Sequence, residues 1–306
     1  MLELKSQSLR VTFSTLGARL VSVVMDGVDL AAGGGTDEQF LAGDWTAGAV
    51  IGRIAGRIAN SRFALGGAEY KLVPNMGEHQ LHGGPDNFAI RHWDAQPTDN
   101  SIRFSLHSPD GDQGYPGAID ATATYSIDGN TLALEFEARA TKPTVINLTN
   151  HAYWNLSGGI RNAFDHEMQI DAANYLPLSD LLLPSGEIRK VDGLPQNFRT
   201  RKKVGRFFDN CWVLDGGRGT LRHGLTLRDP VSGRQMEVWT TEAGMQMYTA
   251  FHWNEGMPGR DGPLRQSAAI AIEPQNFPDA PNHANFPSAV LRPGEVYRHR
   301  MEWRFT

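Results

Sequence analysis

The 306-residue chain is 40% hydrophobic and 21% charged, the make-up of an ordinary globular protein. Its net charge of -5, with basic residues scattered, leaves no electropositive footprint for nucleic acid. A single cysteine, Cys211, excludes an intrachain disulfide and a multi-cysteine metal site, and no apolar run has the length of a membrane span.

The N-terminal Met1-Leu-Glu-Leu-Lys-Ser-Gln-Ser lacks the apolar run of a signal peptide, so a cytoplasmic location is expected. Glycine and proline, 33 and 17 residues, are spread along the whole chain, and helical periodicity is scarce. Arg62-Phe-Ala-Leu, Gly66-Gly67 and Glu69-Tyr-Lys-Leu predict a first hairpin. A second is predicted over 119–138. There Ala121, Ala123, Tyr125 and Ile127 form one face, Asp128-Gly129-Asn130 turns the chain, and Leu132, Leu134, Phe136 and Ala138 resume that face.

Thr144-Val-Ile opens a strand leading into Asn147-Leu-Thr-Asn-His151. If it continues, Asn147, Thr149 and His151 share one face, which suits the wall of a polar pocket better than a core. The basic run Arg199-Thr-Arg-Lys-Lys203 reads as a solvated loop. A third hairpin is predicted over 225–241, turning at Asp229-Pro-Val-Ser-Gly233, and a last strand over Tyr297–Phe305. No composition break divides the chain. One domain over 1–306 is expected, an all-β fold with a large antiparallel β-sandwich architecture. Long loops at 28–50, 74–100 and 251–267 are candidates for function.

The segment Ala268-Ala-Ile-Ala-Ile-Glu273 places a carboxylate at the end of an apolar strand. Ile270 and Ile272 face a core, and Ala269 and Ala271 leave room before Glu273. A buried carboxylate needs a partner or a task. An ion pair with Arg57 would supply the first. A pocket holding His82, His151 and Glu273 would supply the second, with the groups for general acid–base work. Two histidines and a carboxylate also make a metal set, but no His-Glu-x-x-His spacing supports it. Walker, dinucleotide and nucleophile-elbow motifs are absent.

These residues fall in a recognisable set. Gly52-Arg-Ile-Ala-Gly-Arg57-Ile-Ala-Asn60, Leu81-His-Gly-Gly84, Gly114-Tyr-Pro-Gly117, Asn147-Leu-Thr-Asn-His-Ala-Tyr-Trp-Asn-Leu156, Tyr175-Leu-Pro177, Pro184-Ser-Gly-Glu187, Phe208-Asp209, Gly244-Met-Gln246 and Glu273-Pro-Gln-Asn-Phe-Pro-Asp279 resemble the aldose 1-epimerase, or galactose mutarotase, family. They stand in the family's order over nearly the full length.

The resemblance implies a β-sandwich with a sugar site on a concave sheet, and interconversion of the α and β anomers of a free hexose. It implies no cofactor and no metal, and a monosaccharide as the partner. It makes Glu273 the general base, His151 the general acid and His82 a second group near the ring oxygen. Arg57, Asp209 and Gln246 match sugar-binding positions. Two positions depart from the family's usual residues: Gly56 where Asn is common, and Asn210 where His is common. The main alternative is a non-catalytic sugar-binding protein on the same sandwich. Retention of both histidines and Glu273 argues against it, since binding alone needs no acid–base pair.

Overall fold

The computed structural model describes residues 1–306. Two large antiparallel sheets carry the fold. One has nine strands, with Ser101–Ser108, Ile119–Asp128, Thr131–Ala140, Tyr297–Phe305, Gln235–Thr240 and Arg222–Arg228 as consecutive neighbours in its middle. The other has seven, with Asn174–Leu176, Asp209–Val213, Gly244–Tyr248, Ile270–Gln275 and Tyr153–Trp154 side by side. A four-stranded sheet formed by the first 29 residues covers one side. The only α-helix is Asp37–Ala42, six residues with a Thr36 capping box, inside the long loop at 28–50.

The three hairpins form where the local pattern predicts them. Asp128 pairs with Thr131, so Gly129 and Asn130 make a two-residue turn, and Gly129 takes the positive φ of 53° that such turns require. Arg62–Leu65 pairs with Ala68–Lys71 across Gly66 and Gly67, and Arg222–Arg228 pairs with Gln235–Thr240. Tyr297–Phe305 is the closing strand.

Alternation decides which side chains reach the core. Ala121, Ala123, Tyr125, Leu132, Leu134 and Phe136 from the nine-stranded sheet meet Trp212, Met245, Met247, Ile270 and Ile272 from the seven-stranded sheet in one cluster of 53 buried residues. Full burial of each large aliphatic is worth about 1.5–3 kcal/mol. The strand neighbours with opposite parity, Gln246 and Glu273, therefore point away from that cluster. They stand directly opposite each other in the register, with Cys211 opposite Gln246 on the next strand.

The segment after Val145 is extended but not one strand. Asn147 makes an isolated bridge with Ile54, Thr149–Asn150 pairs with Val50–Ile51, and Tyr153–Trp154 joins the seven-stranded sheet. Asn147 and Thr149 are buried and stay out of the pocket wall expected for them. They are cross-links instead. Asn147 accepts from Asn276 N at 2.9 Å and donates to Asn276 O at 3.1 Å, and Thr149 donates to Pro274 O at 2.7 Å. The segment bearing His151 is thus tied to the segment bearing Glu273.

Candidate active site

All six predicted site residues line one cavity of about 340 Å³ on the outward face of the seven-stranded sheet. That volume lies in the range of small-molecule sites. Strand parity supplies Glu273, Gln246 and Asp209. Arg57 comes from the short strand Arg57–Ile58, and His82 from the turn after Gln80–Leu81, which pairs with it.

The His82 turn depends on glycine. His82 has φ 51°, followed by Gly83 at 89° and Gly84 at 100°. A Cβ on Gly83 would stand 2.0 Å from Gly52 O, so a side chain there would push the loop off the wall. His82 Nδ1 accepts from Gly56 N at 3.2 Å. That bond assigns the proton of a neutral ring to Nε2, which makes no hydrogen bond within the protein and is left to donate. Burial first, then the neighbouring His151 and Arg57, push the His82 imidazolium well below the usual histidine range. His82 and His151 meet edge to face, with ring centroids 5.3 Å apart.

His151 Nε2 stands 3.4 Å from Glu273 Oε1, with both side chains nearly fully buried. The other atoms of the pair, His151 Nδ1 and Glu273 Oε2, have no partner in the protein. Burial acts against both charged forms. It raises Glu273 well above the usual carboxylate range, with Asp209 adding to it and Arg57 opposing. It lowers His151 to about 4, with the Asp44 carboxylate opposing. A protonated carboxyl beside a neutral imidazole and a carboxylate beside an imidazolium hold the same single proton, so the pair can pass between them without net charge change.

Arg57 does not pair with Glu273. Its Nη2 lies 3.2 Å from Asp209 Oδ2, and Gln246 Nε2 donates to Asp209 Oδ1 at 2.6 Å. Those three residues form a polar array beside the acid–base pair. Arg53, the other arginine of the Gly52–Asn60 segment, is structural. Its guanidinium bonds Ser108 and the carbonyls of Pro109, Pro116 and Gly117.

Ala269 and Ala271 leave less room than their size suggests. Both are fully buried in a cluster with Tyr153 and Trp253, whose rings pack at 4.5 Å. Several lining residues are not among the predicted site residues: Asp44 and Trp45 from the 28–50 loop, Tyr153, His252 and Gln275. Gln275 is legible only by parity, two residues beyond Glu273, and both its amide atoms are unpartnered. Buried polar atoms without partners are uncommon, and six of the protein's fifteen belong to residues lining this cavity. No group of three or more His, Cys, Asp or Glu is arranged to hold a metal ion, and no helix is long and apolar enough to cross a membrane.

The chain is similar to known proteins along nearly its whole length. The family model described as aldose 1-epimerase matches residues 1–304. The galactose mutarotase of Bos taurus is 36% identical over 99% of this chain and 93% of its own length. The aldose 1-epimerase of Escherichia coli K12 is 34% identical over 84% of this chain and 79% of its own. Among solved structures, a GalM/aldose epimerase homologue from C. elegans superposes with a TM-score of 0.93 at 30% identity, covering 100% of this chain and 98% of the other. The galactose 1-epimerase of Lactobacillus acidophilus gives 0.87 at 25% identity, covering 99% and 93%. The chain belongs to the aldose 1-epimerase family of isomerases.

Proposed function

We propose that this member of the family interconverts the α and β anomers of a free aldose of the galactose or glucose type, with Glu273 as base and His151 as acid. One observation carries the assignment: the 3.4 Å separation of His151 Nε2 and Glu273 Oε1 within the cavity wall. Mutarotation removes a proton from the C1 hydroxyl and delivers one to the ring oxygen O5. Both oxygens are bonded to C1, so the two proton-transfer groups must sit side by side.

Ring opening takes the O1 proton to Glu273 as His151 protonates O5 and the C1–O5 bond breaks. Rotation about C1–C2 exposes the other carbonyl face. Reclosure returns the O5 proton to His151 while Glu273 gives its proton back to O1. The pair begins as carboxylate and imidazolium, passes through carboxyl and imidazole, and ends as it began. A positioned acid and base each supply about 10²–10⁴-fold. His82 Nε2–H is a donor toward the ring oxygen region, and Arg57, Asp209 and Gln246 hold hydroxyls. Tyr248, half-buried on the same strand face as Gln246, offers a ring for the apolar face of the sugar.

Residues 1–306 act as one domain on this reading, supported by the cluster of 53 buried residues that both large sheets share, and the setting is cytoplasmic. Polarimetry of freshly dissolved α-glucose and α-galactose, with and without protein, tests the activity. Faster approach to equilibrium is expected. An aldose panel on which the protein has no effect would falsify the enzymatic reading.

A further inference from the structure

Asp44 lines the cavity, yet ring opening gives it no task. Its side chain is only 3% exposed. Oδ1 accepts from Thr46 N at 2.9 Å and from Thr46 Oγ1, and Oδ2 accepts from Trp253 Nε1 at 2.7 Å and lies 3.2 Å from His252 Nε2. A carboxylate offers about four lone-pair sites. Three are taken by hydrogen bonds and the fourth faces His252 Nε2, which leaves little for a sugar hydroxyl. Burial alone would raise this carboxyl, but the bond from His252, the charges of His151 and His252, and the bond from Thr46 outweigh it. Asp44 is held far below the usual carboxylate range.

No lysine or arginine stands at ion-pair distance from Asp44. Asp209 has Arg57 at 3.2 Å, whereas the only ionisable partner of Asp44 at ion-pair distance is His252. His252 is held on its far side, where Nδ1 lies 2.6 Å from Tyr248 OH and that hydroxyl accepts from His252 N at 3.1 Å. Arg19, buried over the Phe40 ring, bonds the carbonyls of Leu16, Trp45, Ala47 and Ala89. It clamps the loop that carries Asp44 without pairing with it.

We infer, on the acid–base reading above, that Asp44 is a positioning residue: a fixed, water-shielded negative charge that retains the shared proton on the His151–Glu273 pair without touching the sugar. His151 is faced by Asp44, Arg19 and His252, by the Tyr153 ring at 5.0 Å, and in the cavity by His82 and Glu273. Glu273 is faced by Asp209, Arg57 and Asp44. Asp44 raises the proton affinity of both members of the pair. Behind a protein wall such a charge acts with far less screening than in water.

The test is the pH profile of kcat/KM for mutarotation. Losing a negative charge lowers both macroscopic pKa values of a coupled pair. Asp44→Asn therefore moves both limbs to lower pH, by about one unit or more, and costs about tenfold or more on the alkaline limb. The asparagine amide would face Trp253 Nε1–H, donor against donor. His252 can turn acceptor by shifting its proton to Nδ1, but tryptophan cannot. If the single variant does not fold, Asp44→Asn/Trp253→Phe is compared with Trp253→Phe alone. Limbs that stay in place in a folded, active variant overturn the inference, including when the rate falls uniformly, because that is what a purely structural residue does. Wild-type protein that fails to accelerate mutarotation sinks the acid–base reading itself. Active wild type with unmoved variant limbs sinks only the role of Asp44.

Discussion

Replacing Glu273 by Gln keeps the shape of the side chain and removes its capacity to take a proton. The acceptor 3.4 Å from His151 Nε2 becomes an amide, so the O1 proton has no acceptor and His151 loses the group that matches its proton transfer. With about 10²–10⁴ assigned to such a group, kcat should fall by about 10³–10⁴, or ~4–5.5 kcal/mol of barrier. Arg57, Asp209 and Gln246 are untouched, so KM should stay within about threefold. Polarimetric initial rates over a range of sugar concentrations separate the two. A kcat within about tenfold of wild type, with KM raised, would make Glu273 a binding residue and refute the reasoning.

The same variant reports on stability. Glu273 titrates well above its ordinary value of 4.5 in the folded protein because burial penalises the carboxylate. The native state therefore binds more protons than the unfolded state between the two values, and that contribution to stability falls as pH rises through this window. Glu273→Gln removes it. The variant should unfold at a temperature equal to or above wild type at neutral pH, with its relative advantage shrinking as pH drops toward 4.5. A variant that is clearly less stable at neutral pH would mean that the carboxylate is satisfied in a way its unpartnered Oε2 does not reveal.

Three further outcomes are expected. Thr149→Val leaves the Pro274 carbonyl without its 2.7 Å donor and should cost about 1–3 kcal/mol in denaturant unfolding, with kcat lowered because the Glu273 segment loses a brace. Asp209→Asn breaks the pairing with Arg57 and leaves that guanidinium without its carboxylate. KM should rise about tenfold or more while kcat changes less, and equal KM values would remove Asp209 from the sugar site. Prolonged dialysis against a chelator should leave the polarimetric rate unchanged, since the donor set gathers no three-ligand cluster; activity restored only by added metal would return His82, His151 and Glu273 to the role of ligands.

Hairpins were readable because everything that makes them is local: a period of two, and turn residues that tolerate positive φ. Parity alone also sorted Ile270 and Ile272 from Glu273. What local pattern does not carry is which remote segment closes over a strand. Ala269 and Ala271 promised open space, and Tyr153 and Trp253 fill it. Asn147 and Thr149 promised a pocket wall and instead bind the backbone of Pro274 and Asn276, which satisfies their polar groups inside the molecule. Glu273 had two readings, and choosing between them needed the partner of Arg57, which is Asp209. Asp44 and His252 lie in loops with no period at all. Their meeting at 3.2 Å spans more than 200 residues of chain and follows from topology alone.

The alternation along Gly244–Tyr248 and Ile270–Gln275 also bears on how this enzyme could change over time. Each strand answers two masters at once. Inward positions are judged by how they fit Trp212 and the opposite sheet, outward ones such as Gln246 and Glu273 by what they bring to the cavity. The two sets interleave in the chain but scarcely touch each other in space. A lineage could therefore redraw its preference among sugars, residue by residue, without reopening the question of whether the protein stands up. In a map of tolerated substitutions the two demands would separate as stripes one residue wide.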